Sequence, residues 1–144
     1  MRVSRSLHVA TALALGSLIV AATPVVASAK SSPRLFVSPS GALKAGQTVK
    51  VRGVGFKAHD AVYLTECLAK ATGAGGCDIA TATPVSINAK GAFGWTKFKV
   101  LSGHIGSGTC GTTKANLKNC AISAGNASGQ DSATLRITFL APKK

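Results

Sequence analysis

Two runs of alternating apolar and polar residues between residues 45 and 67 most constrain what this chain can fold into. In the first run Val49 and Val51 alternate with basic residues, and in the second Val62 and Leu64 share one parity. Side chains of a β-strand point alternately to its two faces. The first run therefore predicts a half-buried strand, and the second predicts a strand covered on both sides, with a glycine-containing turn between them.

Further short runs carry the same period, and glycine, proline and asparagine separate them. The period of two predicts additional strands in residues 35–37, 85–87, 92–101, 120–124 and 133–139. We expect residues 68–76 and 102–109 to be loops, and no helical pattern stands out after residue 30. About seven short strands with near-regular turns indicate an all-β protein, a seven-stranded immunoglobulin-like β-sandwich.

Residues 1–29 have the pattern of a secretory signal peptide. Two arginines precede an apolar run over residues 9–22, and an Ala-Ser-Ala motif follows at 27–29. A membrane anchor is the alternative, but the run is shorter than the roughly 20 residues that span a bilayer. We predict cleavage before Lys30 and secretion, which leaves residues 30–144 as one domain.

The chain is strongly basic, with 17 lysines and arginines against four acidic residues and a formal charge of +13. This charge favours anionic partners, and the cations could neutralise the phosphates of DNA. A solvated outer face, or non-specific attraction to cell-wall polymers and anionic lipid, is favoured over DNA binding. Trp95 is close in sequence to Lys97 and Lys99, and one interpretation is that its ring stacks on nucleic acid. The favoured interpretation is that Trp95 packs in the core or on a sheet face. The candidate polyanion-binding residues are Lys50, Arg52, Lys97, Lys99, Lys114, Lys118 and Arg136.

Four cysteines follow the predicted signal peptide, and an even number in an exported chain indicates disulfides. Three pairings exist. We favour Cys67–Cys77 and Cys110–Cys120, because each pair brackets a short loop that can fold back on itself. A zinc site is disfavoured, since nine residues separate the members of each pair whereas structural zinc usually has about two to four between paired cysteines.

Several motifs occur in an order that resembles the neocarzinostatin family, the enediyne apoproteins of actinomycetes. Tyr63 precedes Cys67, the nine-residue gap to Cys77 follows, and a matching stretch closes the chain from Cys120 to Phe139. The other motifs are V-S-P-S-G at 37–41, A-G-Q-T-V-K-V-R-G-V-G-F at 45–56 and N-A-K-G-A-F at 88–93.

The resemblance implies a sandwich that holds a labile, apolar, DNA-cleaving enediyne chromophore in a cleft between a sheet and the two disulfide loops. The chain departs from the family where aromatic or large apolar residues line that cleft. Ala69, Gly75 and Ala82 stand where the family has tryptophan, leucine and phenylalanine. The positions that the resemblance assigns to ligand binding are Tyr63, Ala69, Gly75, Ala82, Ala121, Ser123, Gly125 and Gly129.

The function that follows is a secreted, monomeric, non-enzymatic carrier whose antibacterial or DNA-directed activity belongs to its ligand. The alternative is a module without a ligand that binds polyanions in the envelope or nucleic acid. We expect no metal and no catalytic residue, because His59 and His104 each stand alone in turn-like segments without a partner for acid–base chemistry.

Overall fold

Two antiparallel sheets carry most of the strands in the computed structural model, which describes residues 31–141 and 143. One sheet has the order β1-β2-β5, made of β1 (Arg34–Ser38), β2 (Thr48–Val54) and β5 (Phe93–Lys99). The other has the order β4-β3-β8-β9, made of β3 (Ala61–Leu68), β4 (Thr83–Ser86), β8 (Cys120–Gly125) and β9 (Ser132–Ile137). A separate hairpin consists of β6 (Gly103–Ile105) and β7 (Gly108–Cys110).

The expected β-sandwich is confirmed, since alternating apolar side chains from both sheets meet in one core. In β2 Val49 and Val51 are buried and Lys50 and Arg52 are exposed, as the alternation predicts. Full burial of such an aliphatic side chain contributes about 1.5–3 kcal/mol. The shared core includes Leu35, Val49, Val51, Phe93 and Phe98 from the first sheet and Val62, Leu64, Ile122, Ala124 and Ile137 from the second.

A β-bulge interrupts the pairing of β2 with β5 and reverses the alternation of β5. Val51 pairs with Thr96, but Gly53 pairs with Phe93, so β5 has one more residue than β2 between these pairs. Phe93 is consequently buried, whereas Trp95 lies on the opposite, outer face and is 54% exposed. The interpretation of Trp95 as a core residue is therefore wrong, and its placement on a sheet face is correct.

The segment 102–109, predicted to be a loop, is instead the β6–β7 hairpin. Ile105 and Cys110 are buried and attach the hairpin to the core, while Gly106 supplies the positive φ of the turn. Residues 68–76, the other predicted loop, contain one turn of 3₁₀-helix, Ala74–Gly76, and a second such turn follows at Ile79–Thr81.

The two disulfide-closed loops of the predicted fold are present, through the bonds Cys67–Cys77 and Cys110–Cys120. The first attaches the 68–77 loop to β3, and the second joins the end of β7 to the start of β8. Each disulfide holds a loop with little regular secondary structure against the second sheet.

The predicted signal peptide, residues 1–29, lies outside the described residues. Within the described part of the chain no helix has the length and apolar character needed to span a membrane.

Candidate ligand-binding face

The strand register brings several of the predicted ligand-binding positions onto one face of the second sheet. Tyr63 pairs with Gly125, Thr65 with Ser123, and Cys67 with Ala121. Directly paired residues share a face, and in β3 this is the face opposite to the one that carries the core residues. We call the surface formed by Tyr63, Thr65, Ala121, Ser123 and Gly125 the outer β3–β8 face.

One end of the outer β3–β8 face is open and the other is closed. Tyr63 is 43% exposed, and Ser123 and Gly125 are half-buried. Ala121 is fully buried, so a ligand does not reach its side chain in this conformation. The accessible part of the face is therefore its Tyr63 end.

The first disulfide loop closes the covered end through two hydrogen bonds. The Thr65 hydroxyl donates to the carbonyl oxygen of Asp78 at 2.7 Å. The Asp78 backbone N–H donates to the carbonyl oxygen of Glu66 at 2.8 Å. These contacts extend β3 pairing onto the loop, and the position of the loop sets how much of the sheet is exposed.

Tyr63 also lines a shallow cavity of about 400 Å³ that runs between β3 and β4. Its other walls include Asp60, Pro84, Val85 and Ile87. Cavities of about 300–1,000 Å³ are typical of small-molecule sites. Of the outer β3–β8 face this cavity contains Tyr63 alone, so a small ligand in the cavity would contact the Tyr63 ring from the β4 side.

The remaining predicted positions are dispersed around this face. Gly75 lines a different cavity of about 420 Å³, between the first disulfide loop and the β6–β7 turn, together with Leu68. Ala69 is half-buried within that loop, and its N–H donates to the Asn119 carbonyl oxygen at 2.9 Å. Ala82 is half-buried between the second 3₁₀ turn and β4, and Gly129 is exposed in the β8–β9 turn.

A hydrogen-bond network fixes the β8–β9 turn near the open end. The Asn126 side-chain amide donates to Asp60 Oδ2 at 2.8 Å, and this bond is the main reason that the pKa of Asp60 is lowered. Asp131 is buried, and its Oδ2 accepts the Lys57 backbone N–H at 2.8 Å. The turn that carries Gly129 is thus tied to the β2–β3 connection by polar side chains rather than by apolar packing.

Glu66 is a buried carboxyl group that the sequence interpretation did not single out. It is 1% exposed, and its Oε2 accepts the Leu101 backbone N–H at 2.6 Å. Burial raises the pKa of Glu66 to about 7, against the lowering effect of that hydrogen bond, and the nearby charge of Asp78 raises it further. Glu66 has the same parity in β3 as Val62 and Leu64, and this parity indicates that its side chain points into the core.

Glu66 forms, with Cys110 and Cys120, a group of three potential metal ligands within 4.8 Å in the described residues. Both sulfur atoms belong to one disulfide and are not thiolates, so they are not available to a metal. The disulfides also exclude the zinc interpretation of the cysteines.

The predicted polyanion-binding residues separate into three locations. Lys50, Arg52, Lys97 and Lys99 share the outer face of the first sheet. Lys114 and Lys118 lie in the second disulfide loop, and Arg136 is on β9 beside Ala121.

His59 and His104 are both exposed. His59 lies in the β2–β3 turn with a φ of 61°. His104 is on β6 rather than in the loop predicted for it.

The sequence matches the family model of the neocarzinostatin family over residues 35–139, which covers both sheets and both disulfide loops. The chain belongs to the neocarzinostatin family. It is 34% identical over 131 residues to actinoxanthin from Streptomyces globisporus, covering 86% of this chain and 90% of that protein. The same identity and coverage apply to the antitumor antibiotic C-1027 apoprotein of the same organism.

Two solved structures have a similar fold. Macromomycin matches with a TM-score of 0.59 at 29% identity, covering 76% of this chain and all of that one. Apokedarcidin matches with a TM-score of 0.51 at 26% identity and the same coverage.

Proposed function

We propose that this protein is a secreted, non-enzymatic carrier that holds an apolar small molecule at the open end of the outer β3–β8 face. The observation that carries the proposal is family membership over residues 35–139, together with a 34% identical relative described as an antibiotic apoprotein. An apoprotein is the protein part of a complex with another component. By the resemblance, that component is an enediyne chromophore bound without a covalent bond, and the DNA-directed activity belongs to it.

The chemistry of the outer β3–β8 face supports an apolar ligand that is bound mainly by van der Waals contacts. Tyr63 is the one aromatic residue among the eight predicted ligand-binding positions. Ser123 directs its hydroxyl to its own sheet, where it lies 3.1 Å from the Thr134 hydroxyl. A ligand would therefore meet the Tyr63 ring, small side chains and backbone, without a free charged group on β3 or β8.

The first test is native mass spectrometry of the protein secreted by its own producer. The expected spectrum shows a chain that begins at Lys30, a loss of about four hydrogens for two disulfides, and additional mass from a bound molecule. A spectrum with the protein mass alone would contradict the carrier proposal.

The second test uses a neutral naphthalene ester as an apolar aromatic probe, followed by ligand fluorescence. Stacking on an aromatic ring contributes about 0.5–1.5 kcal/mol, so Tyr63→Ala should weaken binding about 2- to 12-fold. Trp95→Ala is the matched control, since Trp95 is an exposed aromatic residue of the other sheet. Equal effects of the two substitutions would place the probe elsewhere.

The alternative function, polyanion binding, is supported by a different surface. Four of its seven candidate residues lie on the outer face of the first sheet, which belongs to the opposite layer of the sandwich. These four residues are therefore separate from the proposed carrier site, whereas Arg136 lies on β9 beside Ala121.

A further inference from the structure

The outer face of the first sheet concentrates positive charge without an acidic residue in any of its three strands. Lys50 is directly paired with Lys97, and Thr48 is paired with Lys99. Neighbouring strands are about 4.8 Å apart, and like charges that face each other directly destabilise a sheet. We call this surface, with its five cations, the cationic face: Arg34, Lys50, Arg52, Lys97 and Lys99.

The acidic residues of the domain are engaged elsewhere and do not neutralise the cationic face. Each of the four carboxylates accepts a hydrogen bond from a group outside the first sheet. The pairs are Asp60 with Asn126, Glu66 with Leu101, Asp78 with Thr81 and Asp131 with Lys57. An anionic ligand is thus the natural source of the negative charge that the cationic face lacks.

Two exposed aromatic rings lie within the cationic face and hold its central arginine. The Arg52 Cζ is 4.4 Å from the ring centroid of Phe36 and 5.2 Å from that of Trp95. Phe36 is 38% exposed and Trp95 is 54% exposed. Cation–π contacts on both sides restrict the guanidinium, so less entropy is lost when it binds a phosphate.

Strand alternation places Trp95 in this arrangement. Trp95, Lys97 and Lys99 are two residues apart and project on the same side of β5, and the bulge opposite Arg52 turns Phe93 to the core. Trp95 is about half exposed, so its ring contributes less free energy of burial to stability than a fully buried ring would. Its position is explained if the ring contacts a ligand.

We propose that the cationic face binds single-stranded nucleic acid, with phosphates along the lysines of β2 and β5 and a base stacked on Trp95. Cationic sheets that also carry exposed aromatic rings combine backbone neutralisation with stacking, which is how single strands are bound without sequence preference. The bases of a duplex are stacked on one another and are not available to Trp95. A polyanion without bases cannot stack on the exposed aromatic rings. The proposal does not depend on the carrier function, because it uses the other sheet.

The test measures fluorescence anisotropy of a labelled oligothymidylate with the purified protein at several salt concentrations. Single-strand binding has a salt slope of about −0.7 per neutralised phosphate, so five contacts give a slope near −3.5. Affinity should then fall about 100-fold between 50 and 200 mM salt. The double variant Lys97→Ala/Lys99→Ala should reduce the size of the slope by about 1.4.

A matched control separates this surface from diffuse charge attraction. The double variant Lys114→Ala/Lys118→Ala removes the same charge from the exposed second disulfide loop and should leave the slope unchanged. If it weakens binding as much as the β5 double variant does, the proposal is overturned.

Trp95→Ala tests the stacking separately from the charge. It should weaken oligothymidylate binding at least fivefold at fixed salt, with an unchanged salt slope, and Trp95→Phe should recover part of the loss. Tyr63→Ala, the substitution that tests the carrier site, should have no effect. Far-UV circular dichroism and the urea midpoint of each variant verify that the fold is retained.

Three further results would overturn the proposal. Inorganic polyphosphate that binds as tightly per phosphate, with no effect of Trp95→Ala, would indicate a polyanion site that does not recognise bases. Tighter binding of a duplex than of the single strand would exclude base stacking. Absence of oligothymidylate binding at 50 mM salt would remove the function altogether, and the naphthalene ester would still report on the carrier site.

Discussion

The buried carboxyl group of Glu66 makes the stability of this fold depend on pH near neutrality. The pKa of Glu66 is about 7 in the folded protein, compared with an ordinary value of 4.5. The folded state therefore binds the proton more tightly than the unfolded state does. Stability falls as the pH rises from 4.5 to 7, where the unfolded chain has lost its proton and the folded protein has not.

The size of the effect follows from the difference between the two pKa values. One pKa unit corresponds to about 1.36 kcal/mol, so this shift corresponds to about 3 kcal/mol of lost stability above pH 7. With a urea m-value of about 1.5 kcal/mol/M, the midpoint of unfolding should fall by about 2 M between pH 4.5 and pH 8. Asp60 has a lowered pKa, so its contribution is lost only as the pH falls through values below 3.8, outside this range.

Glu66→Gln is the substitution that isolates this group. Glutamine keeps an oxygen that can accept the Leu101 N–H but carries no charge at any pH. Its free energy of unfolding should match the native protein within about 1 kcal/mol at pH 5 and exceed it by about 3 kcal/mol at pH 8. Urea unfolding followed by far-UV circular dichroism at both pH values measures the difference.

The reasoning about Glu66 would be refuted if native stability were constant from pH 5 to pH 8. It would equally be refuted if the Glu66→Gln variant lost stability as steeply as the native protein. In either case the carboxyl group would ionise in the folded state at little cost, and water would have to reach it.

Two further perturbations test the disulfide and turn geometry. The double variant Cys110→Ser/Cys120→Ser should lose about 3 kcal/mol of unfolding free energy in urea, because the ten-residue separation no longer restricts the unfolded chain; an unchanged midpoint would contradict this. Gly91→Ala should cost about 2 kcal/mol or more by the same measurement, since Gly91 has a φ of 72° and a Cβ there would overlap the Phe56 carbonyl oxygen. Gly73→Ala, which meets no atom within 4 Å, is the control and should change stability by less than about 0.5 kcal/mol.

Alternation in the sequence was sufficient to predict the strands whose pairing is regular. In β2 Val49 and Val51 are buried, and in β9 the apolar residues of one parity are buried or half-buried while those of the other parity are exposed, as a period of two requires. In β5 the same argument failed for the pair Phe93 and Trp95, which are two residues apart but lie on opposite faces, because a bulge is defined by the partner strand and leaves no local signal in the residues themselves. The β6–β7 hairpin was missed because three glycines in eight residues are typical of a loop.

The positions of the candidate ligand-binding site could be predicted only from the resemblance to the neocarzinostatin family. Tyr63 and Gly125 are 62 positions apart and become neighbours through the pairing of β3 with β8, which no spacing rule indicates. Strand order in a sandwich depends on the whole core. The binding roles of Tyr63, Ser123 and Gly125 remain predictions, and the structure contributes their common face. Glu66, by contrast, could have been found from its parity with Leu64.

Gly94, the extra residue of the β5 bulge, separates a core position from a surface position. A side chain added at Gly94 would meet open space. The inward Phe93 and the outward Trp95 are therefore governed by independent requirements, one set by the shape of the interior and the other by whatever approaches from solution. The exterior of this layer can be redesigned, or can diverge between related proteins, while the packing beneath it stays the same.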